Sequence, residues 1–300
     1  MWDEHLADFR AHLALEKGLA SNSLTAYIHD VELLRDFAIH TLAKRPEEIN
    51  RNDIGTLLVH VGSIGQLGAR SQSRLLSGLR AFFRYLTLEH RVPGDPTDAI
   101  PSPRMPKRLP EFLTLEEVNA MEACIDLSAP LGHRNLAIIE TLYSCGLRVS
   151  ELITLRLSHI YPDEEFIRVI GKGSKERLIP IGAKALRDIE NYRAVRATGP
   201  IARGAEDYLF LNRRGKPMGR VMVFNIVKDL AERAGIPKTV SPHTLRHSFA
   251  TALVLGGADL RLVQAMLGHE SITTTEIYTH LSDADLHDSM MLHHPRSRGQ

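Results

Sequence analysis

Six polar side chains lie where predicted helices and turns end, and their types suit chemistry on a phosphodiester. They are two arginines, a lysine, two histidines and a tyrosine: Arg148, Lys172, His243, Arg246, His269 and Tyr278. Two planar guanidinium groups can each donate paired hydrogen bonds to the non-bridging oxygens of a phosphate. A lysine can protonate a departing oxygen, and a phenol can attack phosphorus to form a covalent phosphotyrosine. Because that linkage conserves the bond energy, the set predicts phosphoryl transfer that needs neither a metal ion nor ATP.

Two patterns in the same regions resemble a metal site and a phosphate-binding loop, but each lacks a residue that such a site requires. His243 and His247 are four residues apart, as in helical zinc sites, but threonine follows the first histidine and no nearby acid completes a ligand set. The glycines and lysine of 171–174 hint at a phosphate-binding loop, which needs a further glycine where Phe166 stands. Two cysteines cannot form a four-cysteine zinc site. We therefore expect no metal ion and no cofactor.

Helical periodicity dominates residues 1–91 and predicts a small all-α domain. The predicted helices cover 3–15, a segment ending near 37, 52–64 and 72–88. Ser21 and Ser23 are the expected N-caps of the second helix. Four arginines with i,i+4 pairs accompany the fourth helix: Arg70, Arg74, Arg80 and Arg84. That spacing suits contacts with backbone phosphates of DNA, and the alternative is a solvated helix face.

Residues 92–112 differ sharply in composition, with six prolines and several basic residues. Proline at this density cannot continue a helix and favours an extended, semi-rigid strap. Lys107 and Arg108 are candidate DNA contacts, and the alternative is a surface loop with incidental charge. We interpret this segment as a linker between residues 1–91 and a larger domain, 113–300.

The larger domain is predicted to be mostly helical with one β-hairpin. Thr114 and Glu117 form a capping-box start, and later helices are expected at 135–144, from 149, 183, 219 and 242, and at 259–267, 272–280 and 283–291. Strand-like runs at 165–170 and 176–181 flank a turn that carries Lys172 and Lys175. Lys175 is a further candidate DNA contact. The reactive side chains thus follow element ends, where functional groups tend to lie.

Composition indicates a globular protein and excludes few functions. The chain has 300 residues, is 43% hydrophobic and carries 37 basic against 36 acidic side chains. The resulting charge of +1 excludes little, because nucleic-acid binding depends on where charge lies. No run of 18 apolar residues predicts membrane insertion, and the acidic start is unlike a secretory signal. Two cysteines make no disulfide framework, so we expect a cytoplasmic protein.

Four ordered segments resemble the motif boxes of the tyrosine recombinase (phage integrase) family. They are CGLRVSEL at 145–152, IGKGSKER at 170–177, SPHTLRHSFAT at 241–251 and LGHESITTTEIYTH at 267–280. Within that family the chain is most similar to the bacterial XerC/XerD chromosome-dimer resolvases, and its ending resembles the XerD branch. The resemblance covers nearly the whole chain. It implies a mainly α fold, with a SAM-like N-terminal helical bundle and a mostly helical catalytic domain with a small β-hairpin, forming a C-shaped clamp on DNA.

The resemblance also implies a role for each matched residue. Arg148 and Arg246 would bind the scissile phosphate, with Glu151 supporting the site from behind. Lys172 would be the general acid that protonates the leaving 5′ oxygen, and His243 would assist proton transfer. His269 would donate a hydrogen bond to a non-bridging oxygen, and Tyr278 would be the nucleophile that forms a 3′ phosphotyrosine.

The partners implied by the resemblance are DNA and other recombinase subunits. The substrate would be double-stranded DNA with a dif-like site, bound by a heterotetramer with a second Xer-type recombinase or by a homotetramer. An FtsK-like DNA translocase would activate it, and the C-terminal segment would dock onto a neighbouring subunit. Three alternatives stay open: a phage or mobile-element integrase with the same chemistry, a catalytically silent DNA-binding protein, and a metal-dependent nuclease.

Overall fold

The computed structural model describes residues 1–63, 67–102, 111–171, 175–268 and 282–297. The chain divides into two compact units, Met1–Arg108 and Leu109–Gln300. Both units are built mainly of helices, and the larger one contains a small antiparallel sheet. The predicted mainly α fold is therefore confirmed.

The N-terminal unit is a helical bundle around one apolar core. Its helices are α1 (Trp2–Ala11), α2 (Ser21–Phe37), α3 (Arg51–Ser63) and α4 (Ala69–Leu88). A π-helical turn extends each of the first two helices, at His12–Glu16 and Ala38–Leu42. The prediction that Ser21 and Ser23 are N-caps is wrong, because Ala20 is the N-cap and offers no side-chain hydrogen bond.

Helix α4 buries one face in this core, as its apolar spacing predicts. Its buried side chains include Leu75, Leu76, Leu79, Phe82, Phe83 and Leu86. Gly78 lies against Asp30 of α2, where a Cβ would come within 2.9 Å of three atoms of that carboxylate side chain. Glycine at this position lets α2 and α4 approach closely, with a buried carboxylate between them.

Residues 92–102, the first half of the expected linker, form turns that pack onto the N-terminal bundle. Val92 and Ile100 belong to its apolar core, and Thr97 is fully buried. The extended strap predicted from the prolines is therefore wrong for these residues, because the apolar side chains of Val92 and Ile100 fold the segment back onto the bundle. Lys107 and Arg108 lie outside the described residues.

The larger unit begins with a helix that starts at the predicted capping box, where Thr114 accepts from the backbone N–H of Glu117. The helices in this unit are α5 (Leu115–Ala123), α6 (Gly132–Cys145), α7 (Val149–Thr154), α8 (Ala183–Thr198), α9 (Arg220–Arg233), α10 (Pro242–Gly256), α11 (Leu260–Leu267) and α12 (Asp283–His293). The expected helix at 272–280 lies outside the described residues. The start of each described helix is within three residues of its prediction.

A three-stranded antiparallel sheet carries the expected hairpin. Its strands are β1 (Ile160–Tyr161), β2 (Phe166–Ile170) and β3 (Glu176–Pro180), in the order β1-β2-β3. The β2–β3 register pairs Val169 with Arg177, and the Gly171 N–H donates to the Lys175 carbonyl at 2.7 Å, which closes the hairpin. Strand β1 was not predicted, because two residues are too short to show an alternating pattern.

Two apolar clusters hold the larger unit together. The main cluster surrounds α6, which is buried along most of its length, and includes inward-facing residues of β2 and β3. A second cluster joins α10, α11 and α12 around Phe249, Met266 and Met290. No helix among the described residues is long and apolar enough to cross a membrane.

Candidate active site

The first arginine of the candidate site stands between two helices. Helix α6 ends at Gly146, whose positive φ of 59° lets the chain turn back sharply. Arg148 then serves as the N-cap residue of α7, and its backbone N–H donates to Glu151 Oε2 at 2.8 Å. The local sequence thus fixes Glu151 one turn into α7, directly beneath the Arg148 side chain.

The second arginine lies in the first turns of α10. Ser241 caps this helix and Pro242 occupies its first position, as predicted. Arg246 is 5% exposed and donates to the Gly146 carbonyl at 2.6 Å and to the Leu267 carbonyl. His243, three residues earlier, is exposed to solvent. The structure therefore brings one predicted residue into the interior and leaves the other at the surface.

Glu151 is the centre of an arginine cluster that we name the Glu151 cluster: Arg148, Glu151, Arg177 and Arg246. The Glu151 side chain is 1% exposed and accepts hydrogen bonds from both terminal nitrogens of Arg177, at 2.8 and 2.9 Å. Arg148 Nη1 donates to Oε1 at 2.8 Å, and Arg246 Nη1 lies 3.8 Å from Oε2. Burial acts to raise the pKa of Glu151, but hydrogen bonds and charge from its arginines lower it. Glu151 is therefore a buried carboxylate at neutral pH.

Arg177 is the functional candidate that the sequence reasoning missed. It lies at the end of the motif segment 170–177. The signal was its position in β3, since it shares a face with the buried Ile179 and pairs with the buried Val169. A charged residue at an inward strand position needs a buried partner, which here is Glu151.

The three arginines also hold the end of α11. Arg177 Nε donates to the Met266 carbonyl at 2.9 Å, Arg246 donates to the Leu267 carbonyl, and Arg148 Nη2 donates to the Gly268 carbonyl at 2.9 Å. Carbonyls at a helix C-terminus lack intrahelical partners and attract cations. Each arginine therefore binds one of three successive carbonyls, immediately before His269 in the sequence.

The cluster carries a positive charge. Three guanidinium groups surround one carboxylate, and the described residues supply these arginines with no second acidic partner. Burial and the neighbouring Arg148 lower the pKa of Arg246 to about 10, although Glu151 opposes the change. Arg246 is therefore still protonated at neutral pH. A group of guanidinium groups with this charge suits an anion with several acceptor oxygens.

Other predicted site residues lie elsewhere or outside the described part of the chain. Lys172, His269 and Tyr278 are outside it. Lys175 is exposed beside the hairpin turn. In the N-terminal unit, Arg70 and Arg84 are exposed and make no ion pair with any described residue.

Two arginines of α4 are engaged within the N-terminal unit. Arg74 forms a two-pronged ion pair with the buried Asp30, with both N–O distances at 2.7 Å. Arg80 donates to the Ile100 carbonyl at 2.5 Å and to Ser102 Oγ at 3.1 Å. These two side chains therefore stabilise the fold, whatever else they contact.

Both units match models of known protein families. Residues 111–285 match the Phage integrase family, and residues 6–90 match the Phage integrase N-terminal SAM-like domain. The chain is 39% identical to tyrosine recombinase XerD of Chlorobaculum tepidum over 98% of its own length and 97% of that protein. It is also 39% identical to XerD of Listeria innocua, over 97% of this chain and 98% of that one.

Solved structures show the same fold. The Tn1549 transposon integrase bound to transposon right end DNA superposes with a TM-score of 0.71 at 20% identity, over 95% of this chain and 98% of that chain. The XerH recombinase bound to difH superposes with a TM-score of 0.69 at 23% identity, over 89% of this chain and 78% of that chain. With family matches to both units and near full-length relatives, this chain is a DNA-cleaving and rejoining site-specific recombinase of the phage integrase, or tyrosine recombinase, family.

Proposed function

We propose that this recombinase binds double-stranded DNA and cuts it through Tyr278, with Arg148 and Arg246 holding the scissile phosphate. The observation that carries the proposal is the convergence of both arginines on Glu151 and on the end of α11. Each guanidinium has five N–H donors, so each keeps donors for phosphate oxygens beyond those that bind carbonyls. The cluster is the described group best suited to neutralise a phosphodiester.

The proposed step exchanges one phosphodiester bond for another. The phenolic oxygen of Tyr278 bonds to phosphorus and gives up its proton with the help of His243. The bond from phosphorus to the 5′ oxygen breaks, and Lys172 protonates that oxygen as it leaves. His269 donates to a non-bridging oxygen. The product is a 3′ phosphotyrosine and a free 5′ hydroxyl, and reversal by another 5′ hydroxyl rejoins the strands.

The charge of the cluster explains why this chemistry would be fast here. Attack by an ionising phenol adds negative charge to a phosphodiester that already carries one. Cations that the fold already holds in place stabilise such developing charge without having to reorganise. Arg246 is well suited to this, because its buried hydrogen bonds to Gly146 and Leu267 hold its guanidinium plane in place.

We propose that DNA contacts extend to both units. Arg70 and Arg84 on α4 supply exposed cations that are free of ion pairs with the described residues, and Lys175 lies exposed beside the hairpin turn. Lys107 and Arg108 would add charge in the linker between 92 and 112. Contacts of this kind bind the backbone of DNA and do not select its sequence.

We further propose that the DNA target is a dif-like site and that the reaction resolves chromosome dimers before cell division. Support comes from near full-length similarity to proteins named XerD. A tetramer on two duplexes, either with a second Xer-type recombinase or with four identical chains, and activation by an FtsK-like translocase belong to the same proposal. The enzyme would act in the cytoplasm without a metal ion.

The test uses a nicked suicide duplex that carries the chromosome-dimer resolution site of the source organism. Wild-type protein and Tyr278→Phe are incubated with it in EDTA, and covalent complexes are separated on a denaturing gel. We expect a covalent band with wild type alone, and native-gel shifts with both proteins. A covalent band with Tyr278→Phe would overturn the nucleophile, and loss of the wild-type band in EDTA would favour a metal-dependent nuclease.

The same gels test the DNA target. A native shift without a covalent band for wild type points to a missing partner or activator, so the assay is repeated with the second recombinase and the translocase. If the wild type neither shifts nor cleaves this duplex but does so with the ends of a mobile element, the dimer-resolution role is wrong. The chain would then be a mobile-element integrase with the same chemistry.

A further inference from the structure

We propose that Arg177 is a positioning residue of the cleavage site: it holds Glu151 and the end of α11 so that Arg148 and Arg246 keep their charge and direction for the phosphate. This inference rests on the proposed function, because it assigns a new residue to the same site. The contacts of Arg177 are the starting point. All three of its side-chain nitrogens donate to described partners, two to Glu151 and one to the Met266 carbonyl.

Arg177 takes up the charge of Glu151. Its bidentate pair with this carboxylate, at 2.8 and 2.9 Å, is the geometry in which an arginine and a carboxylate neutralise each other most fully. Without Arg177, the 1% exposed Glu151 would have only Arg148 and Arg246 as cationic partners. It would then draw those two guanidinium groups toward itself and cancel one of their charges. With Arg177, the cluster keeps two net positive charges.

The charge of the Glu151 cluster complements the transition state of cleavage better than it complements the bound phosphodiester. The phosphodiester carries one negative charge, and attack by the phenolic oxygen adds a second until the leaving oxygen is protonated. Since an enzyme gains rate only from interactions that strengthen in the transition state, a cluster of charge +2 favours cleavage more than binding. Arg177 should therefore affect the rate of cleavage more than the affinity for DNA.

Arg177 also packs closely against two glycines that precede catalytic candidates in the sequence. Its guanidinium lies 3.1–3.2 Å from the position of a Cβ at Gly268, and its Nη1 lies 3.3 Å from the position of a Cβ at Gly171. Both glycines leave room for the arginine. Gly268 directly precedes His269, and Gly171 directly precedes Lys172. Loss of Arg177 would leave empty space against the two glycines that precede these catalytic candidates in the sequence.

The experiment measures single-turnover formation of the covalent complex on the nicked duplex, together with DNA affinity and thermal unfolding. We expect Arg177→Gln to slow cleavage about tenfold or more, with a change of less than about threefold in DNA affinity. Arg168→Gln is the matched control, because Arg168 lies on β2 on the opposite sheet face, where it faces Glu176 at 3.5 Å. It should cleave at the wild-type rate.

A second variant separates positioning from a purely structural role. If Arg177 acts by neutralising Glu151, then Glu151→Gln combined with Arg177→Gln should cleave about threefold or more faster than Arg177→Gln alone. A structural role alone would make the double variant no faster. Where Arg177→Gln does not fold, Arg177→Met gives the same comparison, because methionine also removes the charge and keeps a long, flexible side chain.

The outcomes distinguish this inference from the proposed function. Cleavage by Arg177→Gln at the wild-type rate, or a double variant as slow as the single one, would overturn the role of Arg177 and leave Tyr278 as nucleophile. Absence of any wild-type covalent complex under all partner conditions would overturn the proposed function and this inference with it.

Discussion

Arg246 donates a hydrogen bond to the carbonyl of Leu267, a residue that lies 21 positions later and ends α11. The same side chain donates to the carbonyl of Gly146, where α6 ends. One arginine thus joins two helix C-termini whose unpaired carbonyls attract cations. Because both contacts use the terminal nitrogens of a rigid plane, they set the direction in which the remaining N–H groups point.

Arg246→Lys should keep the charge and lose this geometry. A lysine ammonium cannot reach both carbonyls and a phosphate, so we expect cleavage to slow about 100-fold while DNA binding persists. Single-turnover covalent complex formation and a native gel shift check the two effects separately. Arg261→Lys is the control, since Arg261 is exposed on α11, and it should cleave normally. Wild-type cleavage by Arg246→Lys would remove this arginine from the phosphate site.

Arg84 and Arg74, on one helix, should respond in opposite ways to replacement by alanine. Arg84 is exposed without an ion pair to described residues, so Arg84→Ala should weaken DNA binding, lower the salt slope by about one and leave stability unchanged. Arg74→Ala leaves the 3% exposed Asp30 carboxylate without its cation, which should lower the free energy of unfolding by about 1–3 kcal/mol.

Titration of DNA affinity against salt, together with chemical unfolding, checks both variants. An unchanged salt slope for Arg84→Ala would remove this face of α4 from the DNA interface. Arg80 is a poor probe of the same surface. Because it binds Ile100 and Ser102, its replacement would disturb the fold and the interface together.

The helix ends of the site could be predicted from sequence because their signals are local. Ser241 and Pro242 specify the start of α10, and Gly146 and Gly268 adopt the left-handed conformations expected of glycine caps. The Glu151 cluster could not be predicted in the same way. Its arginines come from three separate elements, and their shared contact with the end of α11 exists only after tertiary folding.

The two wrong predictions have physical reasons of the same kind. Serines at 21 and 23 are good N-caps in isolation, yet the helix already starts at Ser21, so both serines lie inside it. Prolines in 92–102 predicted an extended segment, but burial of Val92 and Ile100 against the bundle outweighs that preference. Arg177 is a different case. A charged residue on the buried face of a strand predicts a buried partner, but the sequence does not show that this partner is Glu151.

His294 should make the stability of the larger unit depend on pH. This side chain is fully buried, with its ring 5.2 Å from that of Tyr143 and 5.4 Å from that of Phe249, and Nδ1 accepts from the Arg296 N–H. Burial lowers the pKa of His294 from 6.5 to about 4, with Arg296 adding to this and Glu140 opposing it. The folded protein therefore keeps His294 neutral at pH values where the unfolded chain binds a proton.

The sign and size of the effect follow from that difference. Stability from neutral His294 is fully present above pH 6.5 and is lost as the pH falls toward 4, by about 3 kcal/mol at most. Glu122 acts in the opposite direction, because burial beside Glu140 raises the pKa of Glu122 to about 7, so its contribution declines as the pH rises from 4.5 to 7. Comparison with a variant that lacks the histidine is therefore needed to isolate the contribution of His294 to the pH dependence of stability.

His294→Gln removes the titrating group and keeps a polar side chain of similar size. We expect its free energy of unfolding to fall less than that of wild type between pH 6.5 and pH 4, and chemical unfolding across that range measures the difference. His29→Gln, at a histidine 61% exposed, is the control and should follow the wild-type curve. If His294→Gln also follows that curve, the buried ring accepts a proton in the folded state. The contacts of residues 294–297 with the rest of the larger unit would then tolerate a charge.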